Sequence, residues 1–328
     1  MPSKTSPKLL LGTGNIGDSK TDPLVRFDTS EEVETLLESF YQRGHRQIDT
    51  AQAYSVHAHG SCEPRLGNAK AGERFLLDTK IWSLKPGSHK KENVLKQIDT
   101  SLERLQVEQI NILYLHHPDR SVPFEETCEA LHMAYSQGKF KHWGLSNYAA
   151  DEVSQIVDLC DRKGWRRPSV YQGQYNPIVR GAESDLFPIL RKYGMSFYAY
   201  SPAAAGFFAG NHKNIKPGGR FDTSHFLGDL YTKQYVHEGV IAATERALAV
   251  AAGHGIGGHA AAVRWCAYSS ALSSEHGDAI ILGASSVTQL ESNIDLVEQG
   301  RLPDDVVAAL EAVYGEVKSA GAEIAYHW

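Results

Sequence analysis

One rhythm constrains this chain more than any single motif: a short apolar run, a few turn residues and a segment with helical periodicity, repeated from end to end. Eight short runs read as strands, at residues 8–11, 47–49, 75–79, 110–115, 142–145, 169–174, 196–200 and 279–282. Between and after them, amphipathic segments read as helices at residues 31–43, 90–105, 124–136, 151–162, 183–193, 235–252 and 304–318. The segment after Tyr54 is the poorest helix candidate, because it carries Gly60, Pro64 and Gly67. Thr29 followed three residues later by Glu32 is a capping box, which fixes the start of the first helix. Short apolar strands joined by helices imply parallel pairing through right-handed crossovers, and eight such units suit a closed (β/α)8 TIM barrel. An open doubly wound sheet is the structural alternative.

A barrel of this kind accommodates all 328 residues as a single domain, which is the expected organisation. A long stretch at about residues 202–234 lacks strong periodicity and is rich in glycine, lysine and aromatics, the profile of a binding loop. A C-terminal helix and tail occupy about residues 303–328.

Charge and cysteine usage remove several functions. With 33 basic against 39 acidic residues the formal net charge is -6, which gives no footprint for nucleic acid or an anionic membrane. The polar N-terminus precedes only the three leucines 9–11, too short for a secretory signal, and no run approaches a membrane span. Cys62, Cys128, Cys160 and Cys266 lie far apart, which argues against a disulfide framework or a zinc site. A cytoplasmic protein with a small-molecule partner, monomeric or homodimeric, is the expectation.

One motif points the wrong way. Gly12-Thr13-Gly14-Asn15-Ile16-Gly17 matches the dinucleotide fingerprint G-x-G-x-x-G, yet the residues after it, 18–23, have no apolar period and end in Pro23. No helix is expected there to present its N-terminus to a pyrophosphate. The motif reads as a glycine-rich turn leaving the first strand.

Polar residues at the carboxyl ends of barrel strands gather at one mouth. This chain places there Asp49 with Tyr54 just beyond, Asp78-Thr79-Lys80, His116-His117, Ser146-Asn147, Gln172-Gly173-Gln174-Tyr175-Asn176, and Tyr198-Ala199-Tyr200-Ser201-Pro202. His57 and His59 lack the companions that a metal site needs and read as surface-loop residues.

Taken in order, these strand ends resemble the aldo-keto reductase superfamily over nearly the whole chain. Gln174-Tyr175-Asn176, the run 197–200, and His276-Gly277-Asp278-Ala279 leading into Ile281-Leu282-Gly283-Ala284-Ser285-Ser286 resemble the aflatoxin-aldehyde-reductase group within it. The Gly-Ala-Ser…Gln-Leu…Asn ending is also similar to the voltage-gated potassium channel β subunits. The resemblance implies a catalytic tetrad of Asp49, Tyr54, Lys80 and His116, and an NADPH-dependent reduction of aldehydes, or of ketones, by hydride transfer. His117 falls one place off the motif. A channel-subunit likeness implies the alternative, a regulatory protein with bound nucleotide and slow turnover.

The tetrad's chemistry is arguable from the residue types. An alkoxide formed by hydride addition needs a proton, and tyrosine, ionising near pH ~10, is a weak acid unless a lysine ammonium favours its phenolate. Lys80 suits that role, Asp49 supplies its countercharge, and a His116 N–H steadies the carbonyl oxygen.

For the cofactor the resemblance implies contacts from Asp49, from Ser146, Asn147 and Gln174 to the carboxamide, and from the Tyr200 ring against the nicotinamide. The loop of residues 201–211, with Ser201, Pro202, Gly206 and Gly210, is implied to wrap the pyrophosphate, and Arg220 to reach the cofactor. Gly283, Ser285, Gln289 and Asn293 are implied at the adenosine end. Gln289 stands where many family members carry arginine, so a preference for NADPH over NADH rests on Arg220, whose guanidinium suits a phosphate. Relatives that take carboxylated aldehydes place arginines where this chain holds Thr232 or Lys233 and Trp328. Phe207, Phe208, Phe221, Phe226, Tyr231 and Trp328 are therefore expected to make an apolar or aromatic aldehyde pocket.

Overall fold

The computed structural model describes residues 6–328, and the first five residues of the polar N-terminus lie outside the described part. Its strands are β1 (Lys8–Gly12), β2 (Gln47–Asp49), β3 (Leu76–Ile81), β4 (Ile110–Leu115), β5 (Phe140–Ser146), β6 (Val170–Gln174), β7 (Ser196–Tyr200) and β8 (Ala279–Gly283). All neighbours pair in parallel in sequence order, and β8 pairs back onto β1 along five residues, from Lys8 opposite Ala279 to Gly12 opposite Gly283. The result is a closed (β/α)8 barrel, and the open-sheet alternative falls with that last pairing.

The helices are α1 (Ser30–Gln42), α2 (Cys62–Asn68), α3 (Lys91–Leu105), α4 (Phe124–Ser136), α5 (Ala150–Lys163), α6 (Ala182–Tyr193), α7 (Phe226–Tyr235), α8 (Glu238–Gly253), α9 (Gly258–Tyr268), α10 (Val287–Glu298) and α11 (Asp304–Ser319). The capping box of α1 forms as read, with Thr29 accepting from the Glu32 N–H and the Glu32 carboxylate accepting from the Thr29 N–H.

Several elements depart from the sequence reading, each for a physical reason. The segment after Tyr54 does contain a helix, α2, because Pro64 sits in its first turn, where no intrahelical N–H is lost. The stretch read as aperiodic contains α7, and α8 begins at Glu238 rather than at 235. α9 is new: residues 260–267 are all buried, so its sequence shows no polar face and no amphipathic stripe. β5 starts two residues early, since Lys141 and His142 are exposed and hide the strand's beginning.

Two apolar clusters result. A large one fills the space between barrel and helices, and a small one, with Leu10, Ile112, Tyr114, Val170, Tyr198, Ala279 and Ile281, fills the barrel itself. Stacked side chains inside the barrel leave no pore, so the chemistry is confined to the mouth above them. Among the described residues no helix is long and apolar enough to cross a membrane.

The glycine-rich turn after β1 behaves as expected. No helix follows until Ser30, and Gly17 is required by close approach, since a Cβ there would stand 2.5 Å from the Ser55 side chain.

Candidate active site

Asp49 ends β2, Lys80 is the fifth residue of β3, and His116 directly follows β4, so three adjacent strands deliver three side chains to one mouth. Tyr54 joins them from the turn after β2, where its own N–H is held by the Ala51 carbonyl. The Lys80 ammonium donates to both Asp49 carboxylate oxygens, at 2.7 and 2.8 Å, to the Thr50 carbonyl at 2.9 Å and to the Tyr54 phenol oxygen at 2.9 Å. The Tyr54 hydroxyl donates to Asp49 Oδ2 at 2.8 Å, which closes a triangle of acid, ammonium and carboxylate. Gln172 of β6 completes the carboxylate shell by donating to Asp49 Oδ1 at 2.7 Å.

Lys80 and Asp49 are each 1% exposed, so the pair exists only because its partners are saturated with hydrogen bonds. Burial pulls the Lys80 amine down from its usual range, while Asp49 opposes that loss. Tyr54 is pushed well above the ordinary phenol value, by burial first and by the Asp49 charge second. This direction is opposite to the lowering expected from the Lys80 ammonium, and in the resting geometry the hydroxyl is held protonated. The His116 ring meets Tyr54 edge-on, with ring centres 6.2 Å apart, and burial followed by the neighbouring His117 and Lys80 charges keeps it neutral. A neutral imidazole is a hydrogen-bond donor without net charge, suited to a carbonyl oxygen.

His117 stacks on His116 at 4.7 Å, and the Trp328 ring closes over it edge-on at 5.3 Å. The tail is pinned there by the Trp328 N–H donating to the Asn147 carbonyl and by Arg120 donating to the Trp328 carbonyl at 2.8 Å.

The remaining strand ends stand beside the tetrad. Ser146 ends β5, and Asn147, at a φ of 65°, donates to Ser146 Oγ and to the His116 carbonyl. The Tyr200 hydroxyl at the end of β7 donates to Asn147 Oδ1 at 2.9 Å, and Gln174 donates to the Tyr235 hydroxyl. Ser201, also at positive φ, receives the Asn176 amide on its carbonyl, and Pro202 follows it. Gly206, at a φ of 92°, permits a turn that packs on Asn211, where a Cβ would stand 2.3 Å from the amide. Arg220 reaches across to Asn15 Oδ1 at 2.6 Å, and Asn15 in turn donates to the Ala284 carbonyl, so the long loop clasps the ends of β1 and β8.

Gly283 is exposed, with no atom within 4 Å of where a side chain would begin. Ser286 caps α10, and Ser285 and Gln289 bond each other in solvent at that helix start. Asn293 is different: it is buried, bonding the Gly283 carbonyl and His259, which makes it a support beneath this surface.

Some expectations on the substrate side change. Phe207, Phe208 and Phe221 are packed in the core and Phe226 points to solvent, leaving Tyr231 and Trp328 as the aromatics of the original set near the mouth. Lys233 is engaged by Asp229 at 2.7 Å. His59 bonds the Ala53 carbonyl, and among the described residues no cluster of side chains could hold a metal ion.

Sequence reasoning gave no role to Gln172, Asp78 or Asn15. Gln172 carried a signal, since it shares an inward parity with Gln174 two residues on.

The model of the aldo/keto reductase family matches residues 8–315 of this chain. The chain belongs to the aldo/keto reductase family. Among its relatives within that family, a Pseudocercospora fijiensis aldo-keto reductase is 40% identical over 292 residues, covering 86% of this chain and 97% of its own length. Human aldo-keto reductase family 7 member A3 is 39% identical over 323 residues, with 95% of each chain covered. Human aflatoxin B1 aldehyde reductase member 4 is 39% identical over 328 residues, again with 95% of each covered. The chain is thus an oxidoreductase by family, of the kind that reduces carbonyls.

Proposed function

We propose that this protein is a single-domain, cytoplasmic, NADPH-dependent aldehyde reductase in which Tyr54 is the proton donor. The observation that carries the reading is the closed triangle of Tyr54, Lys80 and Asp49 at a barrel mouth, with a neutral His116 beside it. Four buried cysteine thiols suit a reducing compartment.

The residues present fit a nicotinamide cofactor. Ser146, Asn147 and Gln174 offer the donors and acceptors a carboxamide needs, and Tyr200 offers a flat ring beside them. Open space at Gly283, the start of α10 with Ser285 and Gln289, and the Arg220 guanidinium suit a nucleotide phosphate. When bound, the cofactor supplies the hydride.

Every other part of the reaction falls to the chain. His116 orients the carbonyl oxygen of the substrate toward Tyr54. The Tyr54 hydroxyl, released from Asp49, gives its proton to that oxygen as negative charge develops there. Lys80, 2.9 Å from the phenol oxygen, then stabilises the phenolate that remains, and Asp49 keeps the ammonium charged through the cycle. Such general-acid assistance contributes roughly 10²–10⁴-fold in rate.

The substrate class is an apolar or aromatic aldehyde. Trp328 lines the mouth beside His117 where an arginine would anchor a carboxylate, and the Lys233 ammonium pairs with Asp229.

NADPH oxidation with a panel of aldehydes, in wild type and Tyr54→Phe, tests the reading. Loss of turnover with cofactor binding retained is the expected result. Full activity in the variant, or a strong preference for succinic semialdehyde over benzaldehyde, overturns the respective part.

A further inference from the structure

Beneath the tetrad lies a second buried acid that the proposed chemistry does not use. Asp78 is two residues before Lys80 on β3, so strand alternation puts both on one face, and it stands opposite Asp49 in the ladder between β2 and β3. Its carboxyl is fully buried. Gln47 donates to one oxygen at 2.5 Å and Asn111 to the other at 2.6 Å, and among the described residues no cation bonds it. The nearest charges are the Asp49 carboxylate and the Lys80 ammonium, while Lys8 on β1 bonds only the far side of Gln47. The phenols of Tyr114 on β4 and Tyr198 on β7 also feel its charge.

An acid in that position is expensive as structure. A neutral asparagine, or an apolar residue like Ile112 opposite it on β4, would fill the barrel without a charge to desolvate. What a carboxyl provides and those residues do not is a charge that alters the balance around Lys80.

We propose that Asp78 is a positioning residue of the proton-donating assembly, acting through Lys80: its carboxylate holds the ammonium charged, and its neutral form releases that hold. The inference rests on the reductase reading of the site.

Burial pushes Asp78 up to about 7, with Gln47 and Asn111 pulling the other way. Its charge therefore changes near neutral pH. Ionised Asp78 makes Lys80 harder to deprotonate, so activity that needs the ammonium survives to higher pH.

The test is the pH profile of kcat/KM for benzaldehyde reduction by NADPH in wild type, Asp78→Asn and Asp78→Ala. Both variants are expected to lose an inflection near neutrality and to show an alkaline limb moved down by about half a pH unit or more. Superimposable profiles in folded, cofactor-binding variants overturn the proposal. A titration of the phenolate absorbance, each protein minus its Tyr54→Phe counterpart, reads Tyr54 without turnover. If the wild type reduces nothing, the reductase reading fails, and this titration still decides on Asp78: a moved Tyr54 transition supports it and an unmoved one overturns it. Should neither Asp78 variant fold, Asn111→Ala keeps the acid and removes one of its donors. It is expected to move the near-neutral inflection to higher pH, and an unmoved inflection overturns the coupling.

Discussion

Two walls of the same barrel follow opposite rules. On β2 and β3 the inward positions carry Gln47, Asp49, Asp78 and Lys80, a polar column joined by hydrogen bonds. Across from them, Val170, Tyr198, Ala279 and Ile281 on β6 to β8 make a mainly apolar filling, in which only the Tyr198 hydroxyl is polar. The apolar wall can trade side chains of similar volume at small cost, because dispersion and burial are not directional. The polar wall cannot, because each member leaves a partner unsatisfied when it is removed. Chemistry at the mouth therefore sits on a rigid but expensive foundation on one side and a tolerant one on the other.

The largest effect that could break this contrast comes from Lys80→Met. Removing the ammonium strands a buried carboxylate, and a loss of about 3–5 kcal/mol in urea unfolding is expected. Stability within about 1 kcal/mol of wild type would show that the polar wall is not a coupled unit.

Asp78→Asn sharpens the contrast by pH. Burial lifts Asp78 to about 7, whereas the unfolded chain releases this proton near pH ~4. Between those limits the native state holds one more proton than the unfolded state, so stability falls as pH rises, by about 1.4 kcal/mol per unit. Asp78→Asn is free of that loss. Its stability relative to wild type should rise from about pH 4 to about pH 7 and level off above. A constant difference across the range would count against the assignment.

Arg220→Gln addresses the clasp between the long loop and Asn15. An increase of about tenfold in KM for NADPH, with NADH little changed, is worth about 1.4 kcal/mol and is read by steady-state kinetics with both cofactors. Equal effects on the two would move the phosphate contact elsewhere. The smallest effect belongs to the apolar wall: Ile281→Val is expected to cost about 0.5–1.5 kcal/mol of stability and to leave kcat/KM unchanged.

The contrast also explains what was legible in the sequence. β4 and α4 were readable to the residue, since each has a clean apolar pattern between sharp breaks. Strand order was legible, and so was the meeting of Asp49, Tyr54, Lys80 and His116, because these residues lie at or near the carboxyl ends of adjacent strands and come in chain order. α9 was not, because a helix buried all round has no period to detect. Neither were the supports. Gln172 meets Asp49 from 123 residues away and Arg220 meets Asn15 from 205, and such meetings depend on how the barrel closes rather than on any local spacing. The aromatic loop misled for a related reason: composition showed phenylalanines, and packing decided that Phe207, Phe208 and Phe221 face inward.

The pairing of β8 with β1 has a consequence for how the protein is born. Asp49, Tyr54, Lys80 and His116 all leave the ribosome before residue 120, whereas the strand that seals the barrel spans Ala279–Gly283. At synthesis rates of about 5–20 residues per second, the future ion pair waits on the order of ten seconds in water before its last wall arrives. Until then the barrel around the lysine and the carboxylate is open along the seam between β8 and β1. A chain arrested short of residue 279 would carry the four residues of the proposed tetrad without the strand that closes the barrel around them.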